Sequence, residues 1–158
     1  MPTLIDSIAQ GAMATQAKYG VPASVTIAQA ILESGWGKSS LASKDHNLFG
    51  IKGTGPAGSV TVPTREFVNG HYITINAAFR KYHNDAESIA DHAKLLATSH
   101  YYTKAMADKG NADKFADDLT GVFDGEFFLA DVNAVGLGEG RQVGTIVDDA
   151  EDRRLTGH

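Results

Sequence analysis

The 158-residue sequence contains no cysteine, so neither a disulfide nor a thiolate-held metal supports its fold. No apolar run approaches the roughly 20 residues that cross a bilayer as a helix, and membrane insertion of that kind is not expected. The N-terminus lacks a basic stretch followed by an apolar one, so export through a signal peptide is not expected either. Clustered Lys and Arg are also absent. Residues 1–122 carry eleven acids and eleven bases, a balance that argues against nucleic-acid binding, which needs a basic surface to displace counterions. The six histidines show no His-Glu-x-x-His or comparable ligand spacing, and His83, His92 and His100 read as surface or capping groups rather than metal ligands. Ser34 and Ser88 lack the glycine frame of a nucleophile elbow. Gly136-Leu-Gly-Glu-Gly140 falls short of a dinucleotide fingerprint and reads as a loop.

What remains is an ordinary globular composition, 42% hydrophobic and 21% charged, in a chain long enough for one domain with a real core. The net charge of −5 is uneven: residues 123–158 hold eight acids against three bases. That segment also gathers six glycines and sustains no helical stripe, so the chain divides into a body, residues 1–122, and an acidic, glycine-rich tail, residues 123–158. Within the tail, 127–129 and 143–147 are candidate short strands. Asp148 to Asp152 is an acidic cluster of the kind that stays solvated.

Along the body, Thr3 and Asp6 form a capping box before a helix with Ile5, Ile8, Ala12 and Met13 at helical spacing, closed by Gly20. Val21-Pro22 opens a second helix. Val25, Ala28, Ile31 and Leu32 form its apolar face, while Thr26, Gln29 and Glu33 line an adjacent polar strip. Gly35 and Gly37 end it, and Ser39 to Ala42 adds one short turn. Asn47 to Gly53 reads as a loop. Two β-rich runs, Val60 to Val68 and His71 to Ile75, flank Asn69-Gly70, a strong hairpin signal that pairs Val68 with His71 and Glu66 with Ile73. Val60, Val62, Thr64, Glu66, Val68, Ile73 and Ile75 then share a face. A helix capped by Asn84 and Glu87 follows, with shorter ones over 103–109 and from Phe115 to Gly121. The expectation is five helices and a hairpin.

One side chain has the setting of a general acid. Glu33 falls in the last turn of the second helix, where the negative end of the helix dipole disfavours ionisation, and beside Trp36, whose indole would exclude water. Both effects favour a carboxylic acid that can protonate a leaving oxygen, one half of the machinery of glycoside hydrolysis. The bland alternative is a solvated helix-end carboxylate. Glu66, the acidic residue on the inferred hairpin face, is the candidate for the second half, against the alternative of an edge-strand glutamate in solvent. Trp36 and Phe49 read first as core aromatics beneath a cleft.

Three separated stretches, Ala28-Gln-Ala-Ile-Leu-Glu-Ser-Gly-Trp-Gly37, Asn47-Leu-Phe-Gly-Ile-Lys-Gly53 and Phe79-Arg-Lys-Tyr82 with Glu87-Ser88 and Asp91-His92, together resemble the bacterial and phage glucosaminidases of glycoside hydrolase family 73. The resemblance covers about residues 3–122 and implies an α+β, lysozyme-like fold in which a mainly helical lobe and a small β-hairpin lobe flank a glycan groove. It implies cleavage of the β-1,4 bond after N-acetylglucosamine in peptidoglycan, without a cofactor or metal. Glu33 matches the family's general acid and Glu66 its β-lobe base or water-positioning group. Tyr102, with Tyr101 beside it, matches a cleft tyrosine, and Trp36, Asn47 and Phe49 complete the expected substrate contacts. Peptidoglycan strands are the partner implied, met by a monomer. The setting expected is a phage or prophage lysin, or the catalytic piece of a longer protein. A muramidase or lytic transglycosylase on the same scaffold, or a wall-binding module without turnover, are the rivals. Beyond Val122 the sequence leaves the family pattern.

Overall fold

The computed structural model describes residues 3–120, with backbone alone for 64–68 and 120. The readings made above for residues 121–158, including the tail boundary, its strands, its glycine loop and its acidic cluster, lie outside the described residues.

The local signals are realised closely. Thr3 caps α1 (Leu4–Tyr19) through the expected box, Asp6 N donating to Thr3 Oγ1 at 3.2 Å and Thr3 N to Asp6 Oδ2 at 2.8 Å. Gly20 ends the helix with φ of 81°. After Pro22 comes α2 (Ala23–Ser34), then α3 (Ser40–Asp45), a longer helix than the single turn expected there. Strands β1 (Ser59–Val68) and β2 (His71–Arg80) precede α4 (Asp85–Thr98). Asn84 Oδ1 accepts from Glu87 N at 2.9 Å, while the Glu87 carboxylate reaches back to His83 N at 2.8 Å. A 3₁₀ turn (His100–Tyr102), α5 (Thr103–Ala107) and α6 (Ala112–Thr120) complete the described chain. The sixth helix arises because Ser39 caps α3, its hydroxyl accepting from Ala42 N at 3.1 Å.

Helix α1 packs against α2 and α4, and the core between them takes Ile8, Val25, Ala30, Ile89 and Leu96, with Phe115 and Leu119 of α6. Phe49 and Ile51 enter this core from the loop after α3. The hairpin stands apart from it. Val68 pairs with His71 and Glu66 with Ile73, as the two-residue turn requires. Asn69 and Gly70 take φ of 50° and 82°, the left-handed pair of a type I′ turn. The same ladder sets Val60 against Phe79.

Residues 71–74 are all exposed, and only Phe79 of β2 is buried. A lone two-stranded ribbon is marginal in water, so its base has to be held. Arg80 N donates to Ile51 O and Gly53 N to Ala78 O, both at 2.9 Å. At Gly55 a Cβ would lie 2.3 Å from Lys81 O, so only glycine lets the chain pass there. The hairpin is an arm clamped at one end.

Candidate active site

Helix α2 turns an unexpected face inward. Its buried residues are Val25, Thr26, Gln29, Ala30 and Ser34, whereas Ala28, Ile31 and Leu32, expected in the core, are only half-buried. The polar strip therefore runs along the interior and Glu33 stands at its end. The residue is half-buried overall, and both carboxylate oxygens are out of reach of solvent.

The strip needs hydrogen-bond partners from elsewhere, because buried amides and hydroxyls left without them are costly. Thr26 Oγ1 is satisfied locally by Pro22 O at 3.4 Å. Gln29 reaches α4: His92 Nε2 donates to Gln29 Oε1 at 2.8 Å. That geometry puts the ring proton on Nε2 and leaves Nδ1 bare. Burial holds the imidazole neutral, with a pKa of about 3, since the charged form would lose its hydration. His92 is fully buried, which corrects its reading as a surface or capping group. His83 does keep such a place, exposed and paired with Glu87 at 3.1 Å.

Phe49 stacks on a face of the imidazole, ring centroids 3.8 Å apart and nearly parallel. It is fully buried, in line with its reading as a core aromatic, and it offers no surface to a glycan. Asn47 is 1% exposed. Its Nδ2 donates to Ile51 O and Arg80 O, each at 2.9 Å, and its Oδ1 accepts from Ile51 N at 3.0 Å. The substrate contacts expected of Asn47 and Phe49 are thus replaced by framing roles, the first tying the loop to the end of β2 and the second supporting His92.

A second network fixes the arm to α4. Arg80 Nη1 lies 2.9 Å from Asp91 Oδ2 and Arg80 Nε donates to Lys52 O at 3.0 Å. Tyr82 donates its hydroxyl to the same Asp91 oxygen at 2.6 Å. Burial and this carboxylate push the Tyr82 phenol well above its ordinary range, so it stays a donor. The arm then carries Glu66 outward. Position 66 is seven residues from the start of β1 and three before the turn, on the order of 23 Å along the strand from the clamp. The two glutamates thus belong to different lobes, one on the rigid helix and one near the tip of the arm.

Trp36 departs from its core reading: it is 58% exposed, in a left-handed conformation with φ of 59°. Tyr102, expected as the cleft tyrosine, is instead fully buried, hydroxyl included, and belongs to the core, so its ring offers no face to a sugar. Tyr101 is half-buried, its ring centroid 4.1 Å from that of His100. The sequence places Gln29 on one polar strip with Glu33; what it does not show is that the strip is buried and that Gln29 meets His92 there. Among the described residues no three His, Asp or Glu side chains converge as metal ligands.

Residues 9–122 match the family model of the glucosaminidases, described as mannosyl-glycoprotein endo-beta-N-acetylglucosaminidase. The chain belongs to the glucosaminidase family. This glucosaminidase domain is 48% identical over 100 residues to the exo-glucosaminidase LytG of Bacillus subtilis, a match that covers 63% of the chain and 36% of LytG. It is 41% identical over 119 residues to a Lactococcus lactis protein named "Probable N-acetylmuramidase", covering 72% of the chain and 27% of that protein. Among solved structures it resembles the catalytic domain of the autolysin Auto from Listeria monocytogenes. The TM-score is 0.67 at 39% identity, over 77% of this chain and 75% of that one. The lysozyme-like α+β fold, a helical lobe bearing one small antiparallel sheet, is therefore established for the domain. The chain spans about a third of LytG and about a quarter of the Lactococcus protein.

Proposed function

We propose that the domain hydrolyses the glycan strands of peptidoglycan at the β-1,4 bond after N-acetylglucosamine, with Glu33 as general acid and Glu66 as base or water-positioning group. The observation that carries this reading is the place of Glu33. It sits at the end of a buried polar strip, its carboxylate oxygens withdrawn from solvent, in a chain of the glucosaminidase family. Glu33 delivers a proton to the leaving glycosidic oxygen while positive charge develops on the sugar ring; Glu66, brought in by the arm, orients the attacking water. Gln29 and His92 hold the helix side of the site. Tyr101 contacts the sugar, and Tyr102 positions the groove wall from the core. No cofactor takes part. The working form is a monomer acting at the cell wall, as a phage or prophage lysin or as the catalytic part of a longer hydrolase.

The relative named as a muramidase supports a second reading, cleavage of the alternate bond by the same acid, since one acid and one groove serve either. Digestion of purified sacculi followed by mass spectrometry of the reduced muropeptides decides between them. N-acetylglucosamine at the reducing end supports the proposal. N-acetylmuramic acid there, or an anhydro product, supports the muramidase or transglycosylase reading. Binding to sacculi without release of reducing ends would leave only a wall-binding module.

A further inference from the structure

Asp91 and His92 are consecutive residues of α4, yet they hold different parts of the molecule. Successive side chains on a helix point about 100° apart. His92 turns to α2 and meets Gln29, four residues before Glu33. Asp91 turns to the base of the hairpin, where Arg80 Nη1 and the Tyr82 hydroxyl both donate to its Oδ2, at 2.9 and 2.6 Å. One peptide unit of α4 therefore joins the support of Glu33 to the support of the arm.

The double contact at Asp91 follows from the chain. Arg80 ends β2, and in extended backbone residues two apart lie on one side, so positions 80 and 82 deliver both side chains to one carboxylate. The side chains of Arg80 and Asp91 are 11% and 24% exposed and Tyr82 is buried, which leaves this cluster less screened than a surface ion pair.

What these contacts add to the fold is direction. The bonds from Arg80 N to Ile51 O and from Gly53 N to Ala78 O run along a single edge of β2, and one line of bonds leaves an arm free to swing about it. Strand side chains stand out of the plane of their sheet, so the clamp at Asp91 lies off that line and opposes the swing. The arm magnifies any error at its base. Over the roughly 23 Å to position 66, a tilt of about 2.5° becomes a displacement of about 1 Å, enough to slow a reaction that depends on positioning by about 100-fold.

We propose that Asp91 is a positioning residue for the hydrolysis: by holding Arg80 and Tyr82 it sets the tilt of the arm, and so the approach of Glu66 to the bond that Glu33 protonates. This rests on the acid–base reading above and adds to it the group that brings the two lobes into register.

A double-mutant cycle between Asp91 and Glu66 tests it in the full chain. Reducing-end release from purified sacculi is measured at limiting and saturating substrate, with melting temperatures alongside. Asp91→Ala is expected to lower the maximal rate about 10- to 100-fold, with a much smaller change in the half-saturating amount of sacculi, and Asp91→Asn, which keeps an acceptor oxygen in place, to recover most of the loss. Added to Glu66→Gln, Asp91→Ala should change the remaining rate by less than about 2-fold, because a base already removed cannot be misplaced. Tyr82→Phe removes one hydroxyl and keeps the packed ring; it runs the same cycle with a smaller loss and serves where Asp91→Ala does not fold. Equal losses with and without Glu66 overturn the positioning role while sparing the acid–base reading, as does an unchanged maximal rate in a folded Asp91→Ala chain. Turnover of Glu66→Gln at the wild-type rate brings down the base reading, and the positioning role with it.

Discussion

His92 and Gln29, 63 residues apart in sequence, meet at 2.8 Å between α4 and α2, one helical turn before Glu33. The contact explains why α2 can turn a polar strip into the core. A neutral imidazole donates to the amide oxygen, Phe49 stacks on the ring at 3.8 Å, and the loop bearing Phe49 is tied by Asn47 to the end of the hairpin. Through these contacts the helix that presents Glu33 and the arm that carries Glu66 share one frame.

The buried histidine makes stability depend on pH in a defined window. The folded pKa of His92, about 3, lies below the ordinary value of 6.5, so between these limits the unfolded chain binds the extra proton. Its contribution is complete above about pH 6.5 and is lost as pH falls toward 3, at up to about 1.4 kcal/mol per pH unit. Urea unfolding at pH 7, 6 and 5 is expected to show a steeper loss for the wild type than for His92→Gln, whose side chain does not titrate. Equal slopes would contradict the assignment of this histidine as the acid-sensitive group.

Asn47 serves three backbone groups with one side chain. Asn47→Ala removes the side-chain partner of Ile51 N and Arg80 O, while Ile51 O keeps Arg80 N as its donor. The expected cost is about 2–4 kcal/mol, because buried polar groups are left unsatisfied. A urea midpoint within experimental error of wild type would show that the frame is held elsewhere.

Glu66 is expected to act on turnover and not on the fold. Glu66→Gln should lower kcat by about 100-fold, the smaller end of general-base contributions, with its melting temperature within a degree or two of wild type. Turnover near the wild-type level would remove the base assignment while leaving Glu33 in place.

Local chemistry was legible in the sequence wherever a few neighbouring residues decide the outcome. The Thr3–Asp6 box, the Asn84 cap and the Asn69-Gly70 turn with its register each depend on groups within four residues of one another. The inward polar strip was not legible. Hydrophobic periodicity sets Thr26 and Gln29 on a polar strip beside the apolar face, and a partner far along the chain, His92, is what lets the Gln29 amide oxygen be buried. Trp36 was misread for a related reason. Tryptophans are mostly buried on average, and composition does not reveal that three successive left-handed residues lift this one outward. Asn47 and Phe49 belong to a motif that resembles the family's, but a motif does not distinguish a residue that touches substrate from one that supports it.

The most direct test of the central claim is the release of reducing ends from purified sacculi by wild type and by Glu33→Gln at matched concentration, with melting temperatures measured alongside. An amide of nearly the same shape cannot supply the proton. The account predicts that the variant stays folded and loses activity by about 100-fold or more. Release at the wild-type rate by a folded Glu33→Gln chain would contradict it.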